Sequence, residues 1–125
     1  MTWRWIDAAV VLAIHDQQLA EHGGTAGVRD LGLLESALAR PAQLAVYGAP
    51  DLFDLAAIYA HGIARNHPFV DGNKRTAYVV CMLFLRLHGV RIDASGPERV
   101  IAFEQLAKGE IDRDALAGWL RTRKK

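Results

Sequence analysis

The stretch HPFVDGNKRTAYVVCMLFLRLHG, residues 67–89, decides how this chain folds and where its chemistry lies. Its first nine residues, His67–Arg75, bring an imidazole, a carboxylate, an amide and two cations together around a glycine. The residues from Asn73 to His88 are apolar on nearly every face of a predicted helix, which is typical of the centre of a bundle. The first free backbone N–H groups of that helix point back at the loop, so the sequence predicts an anion site there, with phosphate as the favoured occupant.

Length and composition predict one domain, residues 1–125, and exclude several classes of protein. Apolar residues make up 51% of the chain, which is ordinary for a packed globular protein. A single cysteine, Cys81, excludes internal disulfides, indicates a reducing compartment and is interpreted as a core residue because it lies in the apolar helix. The expected localisation is therefore cytoplasmic.

Charge and hydropathy argue against nucleic-acid and membrane partners. The formal net charge is +1, and the one basic run, Arg121–Lys125, is interpreted as a solvated C-terminus. No stretch reaches the roughly 18 apolar residues of a membrane span, and an acid at Asp7 argues against a signal peptide. We therefore expect no direct nucleic-acid binding and no membrane insertion.

Cap residues and apolar spacing predict an all-α fold of five or six helices around one buried central helix, Asn73–His88. An extended flap is expected over Ala42–Gly48, because this stretch is short and bounded by Pro41 and Gly48. His15 and His22 lack the spacing of a metal site and are interpreted as incidental surface or packing residues. The other predicted helices run from Ala8 to Glu21 behind the cap Asp7, from Asp30 to Pro41, from Asp51 to Asn66, from Ser95 to Lys108, and onward from Asp112.

The loop contains the groups needed for phosphoryl-type transfer. His67 can take a proton from an attacking hydroxyl, and Asp71 can hold Mg²⁺ against phosphate oxygens. Phe69 is expected to anchor the loop in the core. The charge state of His67 stays open, because the preceding helix favours imidazolium while neighbouring cations and a metal oppose it. Gly72 lets the backbone approach a bound anion closely. Hydrogen-bond donors and positive charge come from Asn73, Lys74 and Arg75.

At these residues the chain resembles the Fic/Doc superfamily, and Lys74 makes it similar to the Doc (death on curing) branch. Fic proteins mostly transfer AMP from ATP to a protein hydroxyl, with the motif histidine as base and the motif acid on Mg²⁺. Their usual motif has glycine in place of Lys74 and a second arginine in place of Tyr78. The flanking similarity covers most of the domain: Ile14–Asp16, Gly23-Gly24, Leu33–Ala37, Tyr59, Phe84-Leu85 and Gly89-Val90.

The Doc resemblance implies a compact Fic/Doc-like bundle and the toxin of a type II toxin–antitoxin module. In that branch ATP lies reversed, and its γ-phosphate passes to elongation factor Tu, which inhibits translation. The alternatives are AMP transfer to a protein hydroxyl and a binding protein without catalysis. The implied roles are His67 as catalytic base, Asp71 as ligand of Mg²⁺, and Gly72, Asn73, Lys74 and Arg75 as ATP contacts.

The resemblance also implies two interactions with other proteins. The flap, Ala42–Gly48, would align the target segment by strand addition. An antitoxin would place a tail over the active cleft, where that tail folds into an amphipathic helix. No inhibitory Ser/Thr-x-x-x-Glu motif is identified, so restraint by a separate chain is expected.

Overall fold

The computed structural model describes residues 2–125, and this part of the chain is an all-α domain, as predicted. Helix α3 lies among α2, α4, α5 and α6, while α1 packs mainly against α4. None of the helices described is both long and apolar enough to cross a membrane. The helices are α1 (Ala8–His22), α2 (Leu31–Tyr47), α3 (Leu52–Asn66), α4 (Asn73–Leu87), α5 (Gly96–Lys108) and α6 (Arg113–Thr122).

Side-chain caps start five of the six helices described. In each case a carboxylate or hydroxyl oxygen accepts a backbone N–H of the first turn, and α3 and α5 have complete capping boxes. The exception is α4, which begins after Gly72 without a side-chain cap. Its first N–H groups are therefore open toward the preceding loop. The caps are Asp7, Asp30, Asp51, Ser95 and Asp112, all five at predicted positions.

The predicted end of α2 at Pro41 and the predicted flap are wrong. Helix α2 continues through Pro41 to Tyr47, so every residue of the predicted flap except Gly48 is helical. Proline inside a helix costs about 3 kcal/mol. Packing offsets much of that cost, because the continued helix keeps its spacing and brings Leu44 against the core, and a well-buried leucine contributes about 1.5–3 kcal/mol. The core-facing side of α2 consists of Leu34, Ala37 and Pro41, which are buried, and Leu44, which packs against the core.

The central helix is α3, not α4 as the sequence predicted. Nine of its 15 residues are buried, against seven of 15 in α4. Four alanines and Gly62 keep α3 thin, and a Cβ at Gly62 would lie 2.9 Å from the Cβ of Ala37 on α2. Small side chains let several helices approach α3 closely, whereas the larger apolar residues of α4 do not make it central.

Two further predictions have different outcomes. Cys81 is fully buried, and burial raises the pKa of its thiol, so its interpretation as a core residue is confirmed. The basic C-terminal run is not simply solvated. Arg121 belongs to α6, and its guanidinium pairs with Asp51 at 2.7 Å and Asp54 at 2.6 Å, which joins the end of the chain to the start of α3.

Candidate active site

His67 occupies a strained position between α3 and α4. It has left-handed backbone angles, φ 50° and ψ 57°, and no other non-glycine residue described has a positive φ. Such a conformation is costly for a side chain with a Cβ, and the following Pro68 restricts it further. Strain of this kind persists only where the surroundings impose it, so the contacts around His67 matter for its position.

Arg29 supplies one of these contacts. Its Nε donates to the backbone oxygen of His67 at 2.7 Å, and its terminal nitrogen donates to that of Asn66 at 2.8 Å. Carbonyl groups at the end of a helix lack partners within the helix, and the guanidinium provides them here. No local pattern could have identified Arg29, because it lies 38 residues from His67 in sequence.

An extended segment, residues 27–30, braces the same loop by backbone pairing. The N–H groups of Arg29 and Asp30 both donate to the oxygen of Pro68, at 2.7 and 3.0 Å. In return, Val70 donates to the oxygen of Gly27 at 3.1 Å. This segment, and not the predicted flap at residues 42–48, is the extended chain beside the candidate site.

His15 holds the loop from below, so its interpretation as a packing residue is confirmed, but the residue is not incidental. Its ring is buried and stacks on Phe69, with centroids 3.7 Å apart and planes within 7°. Its Nε2 donates to the backbone oxygen of Asp71 at 2.8 Å. Phe69 is buried as predicted. An apolar face that includes a histidine was the available signal, but it does not distinguish packing from support of a distant loop.

Asn73 closes the loop from inside. Its Oδ1 accepts the N–H of Phe69 at 3.0 Å, and its Nδ2 donates to the oxygen of Phe69 at 2.9 Å. The same Nδ2 lies 3.4 Å from Nδ1 of His67. The side chain is buried, and its paired hydrogen bonds to Phe69 fix the loop that carries His67.

Asp71 has a carboxylate suited to a hard cation. One oxygen accepts the N–H of Thr25 at 3.1 Å and the other that of Gly72 at 2.8 Å. These two bonds hold the pKa of Asp71 below its usual value, so the group is ionised at neutral pH. No group of three or more metal-ligating side chains occurs within residues 2–125. A single carboxylate with further lone pairs fits Mg²⁺, which commonly takes one or two carboxylates together with phosphate and water.

The loop opens into a cleft of about 710 Å³, within the usual size of a small-molecule site. One wall is the start of α4, and the opposite wall is α5 from Gly96 to Glu104. Lys74 crosses between them, with Nζ 2.8 Å from a carboxylate oxygen of Glu104. This ammonium group holds the pKa of Glu104 below its usual value. All six predicted site residues, His67, Asp71, Gly72, Asn73, Lys74 and Arg75, line this cleft.

Arg75 still has hydrogen-bond donors available on its guanidinium in the cleft. One terminal nitrogen of its guanidinium is buried and has no hydrogen-bond partner within the described part of the chain. The uncapped N-terminus of α4 lies beside it. A buried donor without a partner is costly, and an anion bound here would supply one.

Comparison with known proteins agrees with this geometry. Residues 5–85 match the family model described as Fic/DOC family. The chain belongs to the Fic/DOC family. It is 42% identical over 105 residues to the Toxin Doc of Mycolicibacterium smegmatis, covering 78% of each chain. It is also 38% identical over 119 residues to the Protein kinase doc of Escherichia phage P1, covering 94% of each chain.

Within the Fic/DOC family, the structure gives the two departures in the motif a physical setting. Lys74, in place of the usual glycine, extends across the cleft to α5. Tyr78, in place of the second arginine, turns its ring edge to Phe103, with centroids 5.2 Å apart, and its hydroxyl accepts a hydrogen bond from Arg99 on α5. Both departures therefore connect α4 to the wall that faces it.

Changing Asn73 to aspartate is expected to lower the free energy of unfolding by about 1–3 kcal/mol at pH 7. The isosteric side chain would turn a carboxylate oxygen, instead of an N–H donor, toward the oxygen of Phe69. Urea denaturation measures the difference. The matched variant Asn66→Asp loses one N–H bond to Leu33, at a less buried site, and should cost less. An equal cost for both variants would contradict the role assigned to Asn73.

Proposed function

We propose that this chain is the toxin of a type II toxin–antitoxin module and a Doc-type protein kinase that uses Mg-ATP. It transfers the γ-phosphate to a hydroxyl of a host protein, elongation factor Tu, and so inhibits translation in the cytoplasm. The relative named Protein kinase doc, alike over 94% of both chains, supports the kinase reaction. The relative named Toxin Doc supports the toxin role.

The observation that carries the choice of phosphate over AMP is the position of Lys74. Its side chain spans the cleft to Glu104, directly beside the uncapped start of α4. A glycine at this position would leave that space open for the nucleotide phosphates in the orientation needed for AMP transfer. The lysine fills that space and adds a positive charge, which favours a reversed ATP whose terminal phosphate faces the target hydroxyl.

In the proposed reaction, His67 removes the proton of the target hydroxyl as the hydroxyl oxygen attacks the γ-phosphorus. The bond between that phosphorus and the oxygen shared with the β-phosphate breaks, and ADP leaves. A free lone pair on Nε2 requires the tautomer with its proton on Nδ1. That tautomer loses the contact with Asn73, and the loss is small because the contact is long, at 3.4 Å.

The charge that develops on the transferred group meets donors held in place before the reaction. These are the open N–H groups of α4, the Lys74 ammonium and the unpartnered nitrogen of Arg75. Asp71 would hold Mg²⁺, which when bound neutralises charge on the phosphate oxygens. Lys74 must exchange Glu104 for phosphate, and an exposed ion pair of about 0.2–1 kcal/mol permits this.

An antitoxin partner fits the rim of the same cleft. Val70 on the loop and Val100 on α5 line it and are 54% and 63% exposed. An amphipathic helix formed by the tail of a small partner would cover these side chains and close the cleft. On this proposal, a gene for such a protein lies immediately upstream.

Labelled ATP tests the reaction directly. Incubation of the protein with bacterial elongation factor Tu and Mg²⁺ is expected to label the factor with γ-labelled ATP but not with α-labelled ATP. Mass analysis of the factor should then show an added phosphate. Label from α-labelled ATP, and the mass of an added AMP, would replace the kinase proposal with AMP transfer.

A further inference from the structure

A second arginine faces the cleft, on the wall opposite Arg75. Arg99 lies in the second turn of α5, is partly buried and lines the cleft. Its Nε donates to the oxygen of Ala94 at 3.0 Å, and its two terminal nitrogens donate to the oxygens of Ile92 at 2.8 Å and Tyr78 at 2.5 Å. Three anchors to three separate residues make this guanidinium rigid.

All of these partners are neutral, so the charge of Arg99 is not compensated. No carboxylate of residues 2–125 forms an ion pair with it, whereas Arg121 pairs with two aspartates. After the three bonds, each terminal nitrogen of Arg99 still has one N–H to donate. A fixed, partly buried cation with two spare donors is preorganised for an anion with two acceptor oxygens.

The position of Arg99 relative to Arg75 indicates which kind of anion the cleft would suit. Tyr78 follows Arg75 by three residues on α4, so the two share a face and are about 4.5 Å apart along the helix axis. The edge contact with Phe103 fixes the Tyr78 ring, and the Tyr78 hydroxyl in turn holds Arg99. Arg75 and Arg99 therefore line one cleft, with Arg99 bonded to a residue one helical turn beyond Arg75, an arrangement that suits neighbouring phosphate groups of one chain better than a single anion.

We propose that Arg99 binds a phosphate group of the nucleotide that stays with the leaving diphosphate, while Arg75 and the start of α4 bind the transferred phosphate. The inference rests on the proposed function, because it takes ATP as the occupant of the cleft. Arg99 thereby selects polyphosphate nucleotides and fixes the orientation of ATP. Tyr78 is a positioning residue that acts through Arg99.

Binding measurements on a chain that cannot turn over ATP test the inference. In a His67→Ala background, calorimetry with ATP, ADP and adenosine separates phosphate contacts from the rest of the ligand. Arg99→Gln is expected to weaken ATP and ADP binding about tenfold or more, with adenosine binding unchanged. Tyr78→Phe keeps the ring against Phe103, removes one anchor and should weaken ATP binding by a smaller factor.

Arg91→Gln is the matched control, since it removes the same charge from an exposed position that does not line the cleft. It should change ATP binding less than Arg99→Gln does. Helical circular dichroism and thermal unfolding check that each variant is folded.

Several results would overturn the inference. One is that Arg99→Gln weakens adenosine binding as much as it weakens ATP binding, or leaves ATP binding unchanged. Another is that Arg99→Gln affects antitoxin binding alone, and a third is that the His67→Ala parent does not bind ATP. The inference and the proposed function can fail separately. Tight binding of ATP that depends on Arg99, without transfer of label by the wild type, would reject the kinase reaction and leave the phosphate site standing.

Discussion

Replacement of His67 by alanine is expected to slow phosphate transfer by about 10²- to 10⁴-fold, the usual contribution of a positioned general base. Alanine leaves the cleft, Lys74 and Arg75 in place but has no group to accept the proton of the target hydroxyl. Initial rates with γ-labelled ATP measure the effect in solution, and growth after induction measures it in cells.

The matched control is His22→Ala, which removes an exposed histidine at the end of α1 that does not line the cleft. It should leave both the rate and growth inhibition unchanged. Growth inhibition that survives in the His67 variant would sink the catalytic proposal and favour a protein that acts by binding alone.

Replacement of Phe69 by alanine is expected to lower the free energy of unfolding by about 3–5 kcal/mol. The ring is buried and stacks on His15, so its removal leaves a cavity directly below the loop. The same change frees the loop that holds His67, and the transfer rate should fall with stability. Urea unfolding followed by circular dichroism measures the first effect, and labelled ATP measures the second.

The neighbouring variant Val70→Ala is a suitable comparison, because this side chain is 54% exposed and lies on the rim. Its effect on stability should be within about 0.5 kcal/mol, as is usual at the surface. A loss for Phe69→Ala no larger than that for Val70→Ala would mean that the loop is not anchored through its aromatic ring.

The sequence predicted features that depend on neighbours in the chain. The caps Asp7 and Asp51 are examples, since each receives its hydrogen bond from a residue three positions later. The nine-residue motif was readable for the same reason, although the cleft that its groups line also needs α5 as its second wall. Local chemistry of this kind does not depend on the tertiary fold.

Features set by distant contacts were not predictable. Pro41 suggested the end of α2, but burial against α3 keeps the helix intact beyond it. The supports of the loop, Arg29 and His15, lie 38 and 56 residues from their partners, and the counter-ion of Lys74 lies 30 residues away. No pattern within a short window contains these pairs.

The loop is braced by residues 27–30, which are synthesised before it, and faces α5, which is synthesised after it. A chain that is still emerging from the ribosome therefore contains the brace and then the motif, but it has no second wall and no cleft. On the proposed function, the toxin cannot attack the translation machinery until that machinery has carried its synthesis through α5.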